Sequence, residues 1–148
     1  MSDSPADVVR ACLESYAAQD RELAERLIAD EYVFTSPQDD RIDRAAFFDR
    51  CFPTADRFAW QRILAVVPVS AASGSTVAGA AASAWATPAS ATPASDGDTG
   101  PAPDGDVFVQ YEYELKSGER YRNVEVSTVR DGRITETQVF FGGRVTGA

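Results

Sequence analysis

The fold class is decided by residues 107–143, which read VFVQYEYELKSGERYRNVEVSTVRDGRITETQVFFGG. This stretch holds three runs rich in Val, Tyr, Phe, Ile and Thr, separated by the segments 116–119 (KSGE) and 130–133 (RDGR). Runs of β-branched and aromatic residues are typical of strands, and short polar segments with glycine are typical of hairpin turns. The stretch therefore predicts three successive antiparallel strands.

Upstream of these strands the sequence predicts three amphipathic helices. Ser4 followed by a proline is a strong helix start. Asp20 and Asp43 are placed to cap two further helices, and apolar residues recur at helical spacing after each cap. Pro53 is expected to end the third helix, because proline removes a backbone donor.

Two more strands are predicted between and after these helices. Residues 32–36 form a short β-prone run stopped by Pro37, and residues 38–41 are polar enough for an exposed turn. Residues 57–68 predict a long strand with two apolar faces, so that both faces should be covered. The element order ααβαββββ is an α+β layout, a twisted antiparallel sheet over three helices that encloses a cone-shaped cavity.

Residues 70–106 interrupt this pattern. Apart from Val77 and Trp85, the segment contains only Ala, Ser, Thr, Pro, Gly and Asp. Such a composition cannot bury enough apolar area to offset the entropy of ordering the chain. We therefore expect a disordered insertion in a hairpin loop of a single domain formed by residues 1–69 and 107–148.

The composition excludes several classes of function. Fourteen basic against 23 acidic residues give a net charge of -9, whereas nucleic-acid binding needs clustered Lys and Arg. The chain has no histidine, and so lacks the usual general base and the commonest transition-metal ligand. No metal, other cofactor, membrane span or signal peptide is expected, and a cytoplasmic location follows. Cys12 and Cys51 are expected to be unreactive core thiols.

Two segments carry a resemblance to a known family: VVRACLESYAAQDRELAERLIADEYVFTSP at residues 8–37 and NVEVSTVRDGRITETQVFFG at residues 123–142. In these segments the chain resembles the nuclear-transport-factor-2-like superfamily, and more narrowly the SnoaL-like group that includes ketosteroid isomerases. The resemblance implies a cone-shaped α+β barrel with an apolar pocket. It identifies a fold better than a reaction, because this scaffold hosts isomerases, polyketide cyclases, dehydratases, epoxide hydrolases and binding modules.

The ketosteroid isomerase pattern is only partly kept in this chain. The family's catalytic base is an aspartate directly before the proline that ends the first strand, and this position is Ser36. The family's tyrosine donor falls at Cys12, and its protonated aspartate donor falls near Glu125 after a one-residue gap. A serine without a histidine is no general base. The pattern thus argues against steroid isomerisation and leaves Glu125 as the best carboxyl for chemistry.

Glu125 lies in an alternating run in which polar side chains, Asn123 among them, share one face and valines share the other. If the polar set faces the cavity, burial raises the pKa of Glu125 and makes it a general acid or base near neutral pH. In the opposite register Glu125 is a solvated outer-face residue, or pairs with Arg120 or Arg122. The sequence leaves both orientations open.

Asp40 is the second catalytic candidate. It follows Pro37 closely, so that either it or Asp39 could turn toward the pocket mouth and replace the lost base. The alternative is an ordinary turn aspartate that bonds nearby backbone.

Other residues are candidates for binding a ligand because their predicted elements surround the cavity. The expected set is Tyr16, Phe34, Ser36, Trp60, Arg62, Tyr111 and Asn123. Its aromatic members would supply apolar area and a few hydrogen-bond donors, or would simply form core. Arg62 would reach a ligand carboxylate, or would be a surface arginine.

The sequence therefore predicts a protein that binds a small, largely apolar organic molecule. If it is an enzyme, the expected reaction is an acid/base isomerisation, cyclisation or dehydration without cofactor. The alternative is a non-catalytic ligand-binding or dimerising accessory module. A homodimer is expected to form through the outer sheet face that carries Val124 and Val126. An open cavity beside an inward Glu125 would favour the enzyme.

Overall fold

The computed structural model describes residues 3–70 and 104–146. Its elements are α1 (Pro5–Ala18), α2 (Arg21–Leu27), β1 (Ile28–Ser36), β2 (Asp39–Asp43), α3 (Arg44–Ala46), a π-helical turn (Phe47–Cys51), a 3₁₀ segment (Phe52–Arg57), β3 (Phe58–Ser70), β4 (Gly105–Leu115), β5 (Arg120–Arg130) and β6 (Arg133–Arg144). The α+β class is confirmed.

The sheet has six strands in the order β2-β1-β6-β5-β4-β3. All neighbouring pairs are antiparallel except β1 and β6, which are parallel. The expectation of a wholly antiparallel sheet is therefore wrong at this one pair. The helical segments after β2 carry the chain to the far edge of the sheet, from which β3 to β6 meander back to β1. The short strand β2 was also missed, because its polar sequence predicts an exposed turn.

The two C-terminal hairpins form as predicted. Gly118 has φ +101° in the turn between β4 and β5. Between β5 and β6, Asp131 and Gly132 have φ of 53° and 79°. Two consecutive left-handed residues make the tight turn whose twist matches that of the flanking strands.

Side-chain caps start all three α-helices, as the sequence predicts. The Ser4 hydroxyl accepts from the Asp7 backbone N–H at 3.1 Å, and the Asp7 carboxylate accepts from the Ser4 N–H at 3.2 Å. Asp20 and Asp43 each accept from the backbone N–H three residues on, at 3.1 Å and 2.9 Å. Such a cap contributes about 1 kcal/mol. No helix in the described parts of the chain is long and apolar enough to cross a bilayer.

The third helical segment does not end at Pro53. The short helix α3 passes into the π-helical turn Phe47–Cys51 and then into the 3₁₀ segment Phe52–Arg57, which contains Pro53. Proline is tolerated there because the first residues of a helical segment have no intrahelical partner for their N–H groups. The segment therefore continues beneath the sheet and brings further side chains to the interior.

The core lies between the helices and the inner face of the sheet. Its buried members include Val8, Val9, Leu13, Ile28, Tyr32, Phe34, Phe47, Phe48, Phe52, Val107, Val109, Tyr111, Val129 and Ile134. The outer face of β3 is not covered by any described residue: Leu64, Val67 and Val69 are 40%, 53% and 45% exposed. Within residues 3–70 and 104–146 only the inner face of this strand is covered, so that the expectation of cover on both faces is not met in these ranges.

The predicted insertion lies mostly outside the described residues. Strands β3 and β4 pair up to Ser70 and Gly105, and Val69 pairs with Asp106. The two ends of the predicted segment 70–106 therefore belong to the sheet. Residues 71–103 are outside the described part of the chain, so that the disordered insertion stays a prediction for them.

Candidate active site

An apolar cavity of about 80 Å³ lies between the helices and the sheet. Its walls are Val9, Cys12, Leu13, Tyr16, Tyr32, Phe34, Phe47, Cys51, Tyr111, Glu125, Ser127, Ile134, Thr137 and Val139. A wider cleft of about 580 Å³ adjoins it. The residues that line both are Tyr16, Phe34, Cys51, Tyr111 and Val139. These two spaces, called the deep cavity and the mouth cleft below, are therefore neighbours that share a wall.

Glu125 faces the deep cavity and is the only acidic residue among its described lining residues. Its position follows from the register of β5, where Glu125 stands opposite the buried Val109 of β4 and the cavity-lining Val139 of β6. The alternative in which Glu125 lies on the outer face and pairs with Arg120 or Arg122 is therefore wrong. Arg120 and Arg122 instead form ion pairs with glutamates of β4.

The surroundings of Glu125 change its acidity. Burial raises the pKa of Glu125 from 4.5 to about 7, and a hydrogen bond with the Tyr111 hydroxyl offsets part of that rise. The cause is desolvation, which disfavours the charged carboxylate in an apolar wall. A group with this pKa is present in both protonation states near neutral pH and can give or take a proton.

Asn123 orients the hydroxyl that contacts Glu125. The Asn123 side-chain oxygen accepts from the Gly142 backbone N–H at 3.3 Å, and its Nδ2 lies 3.4 Å from the Tyr111 hydroxyl oxygen. An amide nitrogen only donates, so the Tyr111 oxygen accepts this bond and its own proton is free for Glu125. Sequence reasoning placed Asn123 in the pocket wall but missed this orienting contact.

The two cysteines line the deep cavity as free thiols. Burial, and then the charge of Glu125, raises the pKa of Cys12 to about 12. Burial, and then the charge of Asp39, raises the pKa of Cys51 to about 12 as well. Reactive cysteines need a lowered pKa. The prediction of unreactive thiols is therefore supported, and both cysteines line the cavity as protonated thiols.

Tyr16 lies on the shared wall of the deep cavity and the mouth cleft. Its hydroxyl is 2.6 Å from Thr54 Oγ1, and Thr54 in turn donates to the Cys51 carbonyl at 2.7 Å. Burial raises the pKa of the Tyr16 phenol. Tyr16 is thus a neutral hydrogen-bonding group, held in place by the 3₁₀ segment.

Asp40 does not reach either cavity. It is exposed on β2, whereas its neighbour Asp39 lines the mouth cleft. The Asp39 carboxylate accepts from the Cys51 thiol at 3.6 Å and forms an ion pair with Arg50 at 3.5 Å. Successive strand residues point to opposite sides, so only one of two adjacent aspartates can face inward. The prediction of Asp40 as the second catalytic candidate is therefore wrong, and Asp39 is the aspartate that lines the mouth cleft.

Ser36 lines the mouth cleft but serves the turn between β1 and β2. Its hydroxyl accepts from the backbone N–H groups of Gln38 at 3.1 Å and Asp39 at 3.2 Å. Serine thus takes a structural role at the position where the ketosteroid isomerase pattern has its base.

Trp60 and Arg62 lie on the outer sheet face and not in the pocket, contrary to prediction. Trp60 Nε1 donates to the Glu114 carboxylate at 2.9 Å, and Arg62 forms an ion pair with Glu112 at 3.1 Å. The pairing of β3 with β4 shifts between Phe58 and Trp60. A bulge at this point reverses which side the residues from Trp60 to the next register shift, after Ile63, face, and sequence alternation does not reveal it.

Five of the seven expected ligand-binding residues are brought together. Tyr16, Phe34 and Tyr111 line both spaces, while Ser36 and Asn123 line the mouth cleft. Sequence reasoning missed further lining residues of the mouth cleft, among them Arg50, Thr54, Arg57, Phe58, Tyr113, Tyr121 and Phe141. The alternation of Tyr111 and Tyr113 along β4 is a signal that would have found one of them.

Metal binding finds no support in the described residues. Between residues 3 and 70 and between 104 and 146, no three His, Cys, Asp or Glu side chains are grouped so that they could hold an ion.

Comparison with known proteins identifies the architecture. No protein-family model matches the sequence, and no curated protein matches it either. Solved structures do match, each at low sequence identity. An NTF2-like protein of unknown function from Burkholderia xenovorans is 12% identical with a TM-score of 0.58, over 96% of this chain and 85% of that one. A protein with a cystatin-like fold from Methylobium petroleophilum is 12% identical with a TM-score of 0.63, over 98% and 81%.

A third similar structure has a suggested activity. IdmH from Streptomyces antibioticus, a candidate polyketide cyclase, is 15% identical with a TM-score of 0.57, over 95% of this chain and 93% of that one. At such identities the likeness concerns the fold alone.

Proposed function

We propose that this chain, which has the NTF2-like fold, binds a small, largely apolar organic molecule and that Glu125 transfers a proton to or from it. The observation that carries the proposal is one carboxyl among the described residues that line an apolar cavity, with a pKa raised by burial to about 7. Perturbed carboxyls in cavities are typical of catalytic acids and bases. The polyketide cyclase assignment of one similar structure accords with this class of chemistry.

The neighbours of Glu125 suggest how the reaction would proceed. The Glu125 carboxylate would accept a proton from a carbon beside a carbonyl, and the carboxyl group so formed would return that proton to another carbon or to an oxygen of the substrate. Once Glu125 holds the proton, the Tyr111 hydroxyl, whose oxygen is held by Asn123, would turn its hydrogen bond from Glu125 to the substrate oxygen on which negative charge develops. The reaction class would be an isomerisation, cyclisation or dehydration that needs no cofactor.

The size of the deep cavity limits which part of a substrate reaches Glu125. A buried cavity of roughly 150 Å³ takes a benzene ring. At about 80 Å³, the deep cavity has room for a small group, such as a carbonyl with a methyl substituent. The body of the substrate would therefore lie in the mouth cleft.

A ligand screen followed by a charge-removing variant tests the proposal. Thermal shift against apolar ketones, polyketide fragments and steroids would first identify a binding compound. Glu125→Gln should then retain binding and lose turnover, because it removes the proton and keeps the shape. Glu31→Gln, at an exposed carboxyl on β1, is the matched control. Unchanged turnover in Glu125→Gln would remove Glu125 from the mechanism.

The second candidate is a non-catalytic ligand-binding module that dimerises through the outer sheet face. This face exposes Phe108 and Phe140, at 42% and 54%, beside the ion pairs that Glu112 makes with Arg62 and Arg122. Exposed apolar area next to charges of both signs suits a two-fold pairing of identical faces. Ligand binding without turnover in any tested reaction, together with a dimer in solution, would favour this candidate.

The cytoplasm is the location that accords with these thiols. Both cysteines are unpaired, as is usual for proteins kept in a reducing compartment.

A further inference from the structure

One wall of the mouth cleft is a continuous aromatic surface. The rings of Phe58 and Tyr113 are stacked, with centroids 4.5 Å apart and planes inclined by 14°. Tyr121 continues this row at 5.6 Å from Tyr113, and Phe141 follows at 5.7 Å from Tyr121. Phe141 is nevertheless 54% exposed. The planes of Tyr113 and Tyr121 are inclined by 31° and those of Tyr121 and Phe141 by 41°, so that the row offers ring edges as well as faces. An aromatic ring packed against it would remove apolar area from water at Phe141, its most exposed member.

The same cleft is locally cationic in an acidic protein. Its charged lining residues are Arg50, Arg57 and Asp39, while the whole chain has a net charge of -9. Arg50 is already paired with Asp39 at 3.5 Å. Arg57 forms no ion pair with any acidic group in the described ranges 3–70 and 104–146. A planar guanidinium of this kind matches a carboxylate with two parallel hydrogen bonds.

The dimensions of the two spaces allow a ligand in two parts. The mouth cleft, at about 580 Å³, falls within the usual 300–1,000 Å³ of small-molecule sites. The deep cavity, at about 80 Å³, accepts only a small substituent. Tyr111 and Tyr16 line both spaces, which places the mouth cleft next to the cavity that Glu125 faces.

We propose that the mouth cleft binds a flat aromatic carboxylate, with its rings on the wall formed by Phe58, Tyr113, Tyr121 and Phe141 and its carboxylate at Arg57. This inference rests on the proposed function, because the same molecule presents its small end to Glu125. Beyond the proposed function, the inference specifies a flat ligand with a negative charge. Arg57 would then determine specificity for the carboxylate.

Two probes with the same rings and different charge test the inference: 2-naphthoate, an anion, and 2-acetylnaphthalene, its neutral methyl ketone. Isothermal titration calorimetry would measure the Kd of each for the full chain. Arg57→Gln should weaken 2-naphthoate about fivefold, the effect of losing a partly exposed ion pair, and leave the ketone unchanged. Arg57→Lys should recover part of the loss. Arg133→Gln, at an exposed arginine outside the cleft, is the matched control.

The possible results distinguish failure of this inference from failure of the proposed function on which it rests. Equal weakening of both probes by Arg57→Gln, or no weakening of 2-naphthoate, would overturn the role of Arg57. Binding of the ketone without binding of 2-naphthoate would overturn the carboxylate and leave the proposed function standing. If the wild-type chain binds neither probe and no compound of the thermal-shift screen, both the inference and the proposed function fail.

Discussion

Phe140 and Phe141 are consecutive residues of β6, are equally exposed at 54%, and lie on opposite faces of the sheet. Phe141 lines the mouth cleft, whereas Phe140 stands opposite Val124 on the outer face. The two exposed apolar side chains therefore belong to two different surfaces, the one that we propose for a ligand and the one that we propose for a second chain.

The outer face can be tested through this pair. Phe140→Ser should weaken dimer formation about tenfold or more, because it removes a large apolar side chain from the proposed interface. Phe141→Ser, with the same change at the same exposure, should leave the dimer intact and weaken ligand binding instead. Sedimentation equilibrium would measure the dimer Kd. A monomeric wild-type protein, or equal effects of both variants, would contradict the proposed dimer face.

Glu125 should make the stability of the protein depend on pH. Its pKa is about 7 in the folded chain against an ordinary 4.5, so that the unfolded chain loses this proton first as the pH rises. The contribution of Glu125 to the free energy of unfolding is fully present below pH 4.5, and it is lost as the pH rises through about 7. The total loss is on the order of 3 kcal/mol, since one pKa unit corresponds to about 1.4 kcal/mol.

Glu125→Gln should abolish this dependence. Urea unfolding should show similar free energies of unfolding for variant and wild type near pH 4.5, and a more stable variant at pH 8. Glu31→Gln, at an exposed carboxyl, should follow the wild type throughout. A constant difference between Glu125→Gln and wild type at all pH values would mean that burial does not raise the pKa of Glu125.

Tyr111→Phe should raise the pKa of Glu125 further. The Tyr111 hydroxyl stabilises the carboxylate, and its hydrogen bond holds the pKa below the value that burial alone would produce. Carbon-13 NMR titration of the glutamate carboxyl signals would follow the change. Tyr121→Phe is the control, because that hydroxyl donates to Glu119 at 2.7 Å, outside the deep cavity. A lower pKa in Tyr111→Phe would contradict the contact.

Gly142→Ala should destabilise the fold by about 2 kcal/mol or more, the usual cost of forcing an atom into occupied space. A Cβ at Gly142 would overlap the backbone carbonyl oxygen of Arg122 on the neighbouring strand. The Gly142 N–H also holds Asn123 in place, so the pKa of Glu125 should change as well.

The adjacent Gly143 offers a matched control. A Cβ there meets nothing within 4 Å, and only its φ of +100° opposes alanine. Gly143→Ala should therefore cost about 1 kcal/mol. Urea unfolding of both variants checks the comparison, and equal losses would show that the close approach at Gly142 is relieved by strand movement.

The local features of this chain follow from its sequence. Ser4, Asp20 and Asp43 cap helices, and Asp131 with Gly132 forms a hairpin turn, because each effect acts over three or four residues. The alternation around Glu125 likewise defines two faces of β5 that differ in polarity. The fold class could therefore be predicted from periodicity and turn chemistry alone.

Tertiary structure decided the remaining features. The bulge after Phe58 moved Trp60 and Arg62 to the outer face, and the alternation at β2 selected Asp39 over Asp40. The inward orientation of Glu125 arose from its pairing with both neighbouring strands. Register and burial depend on contacts between residues far apart in the chain, and desolvation acts only once these contacts exclude water. The sequence by itself thus identified the carboxyl, and the packing around it set its pKa.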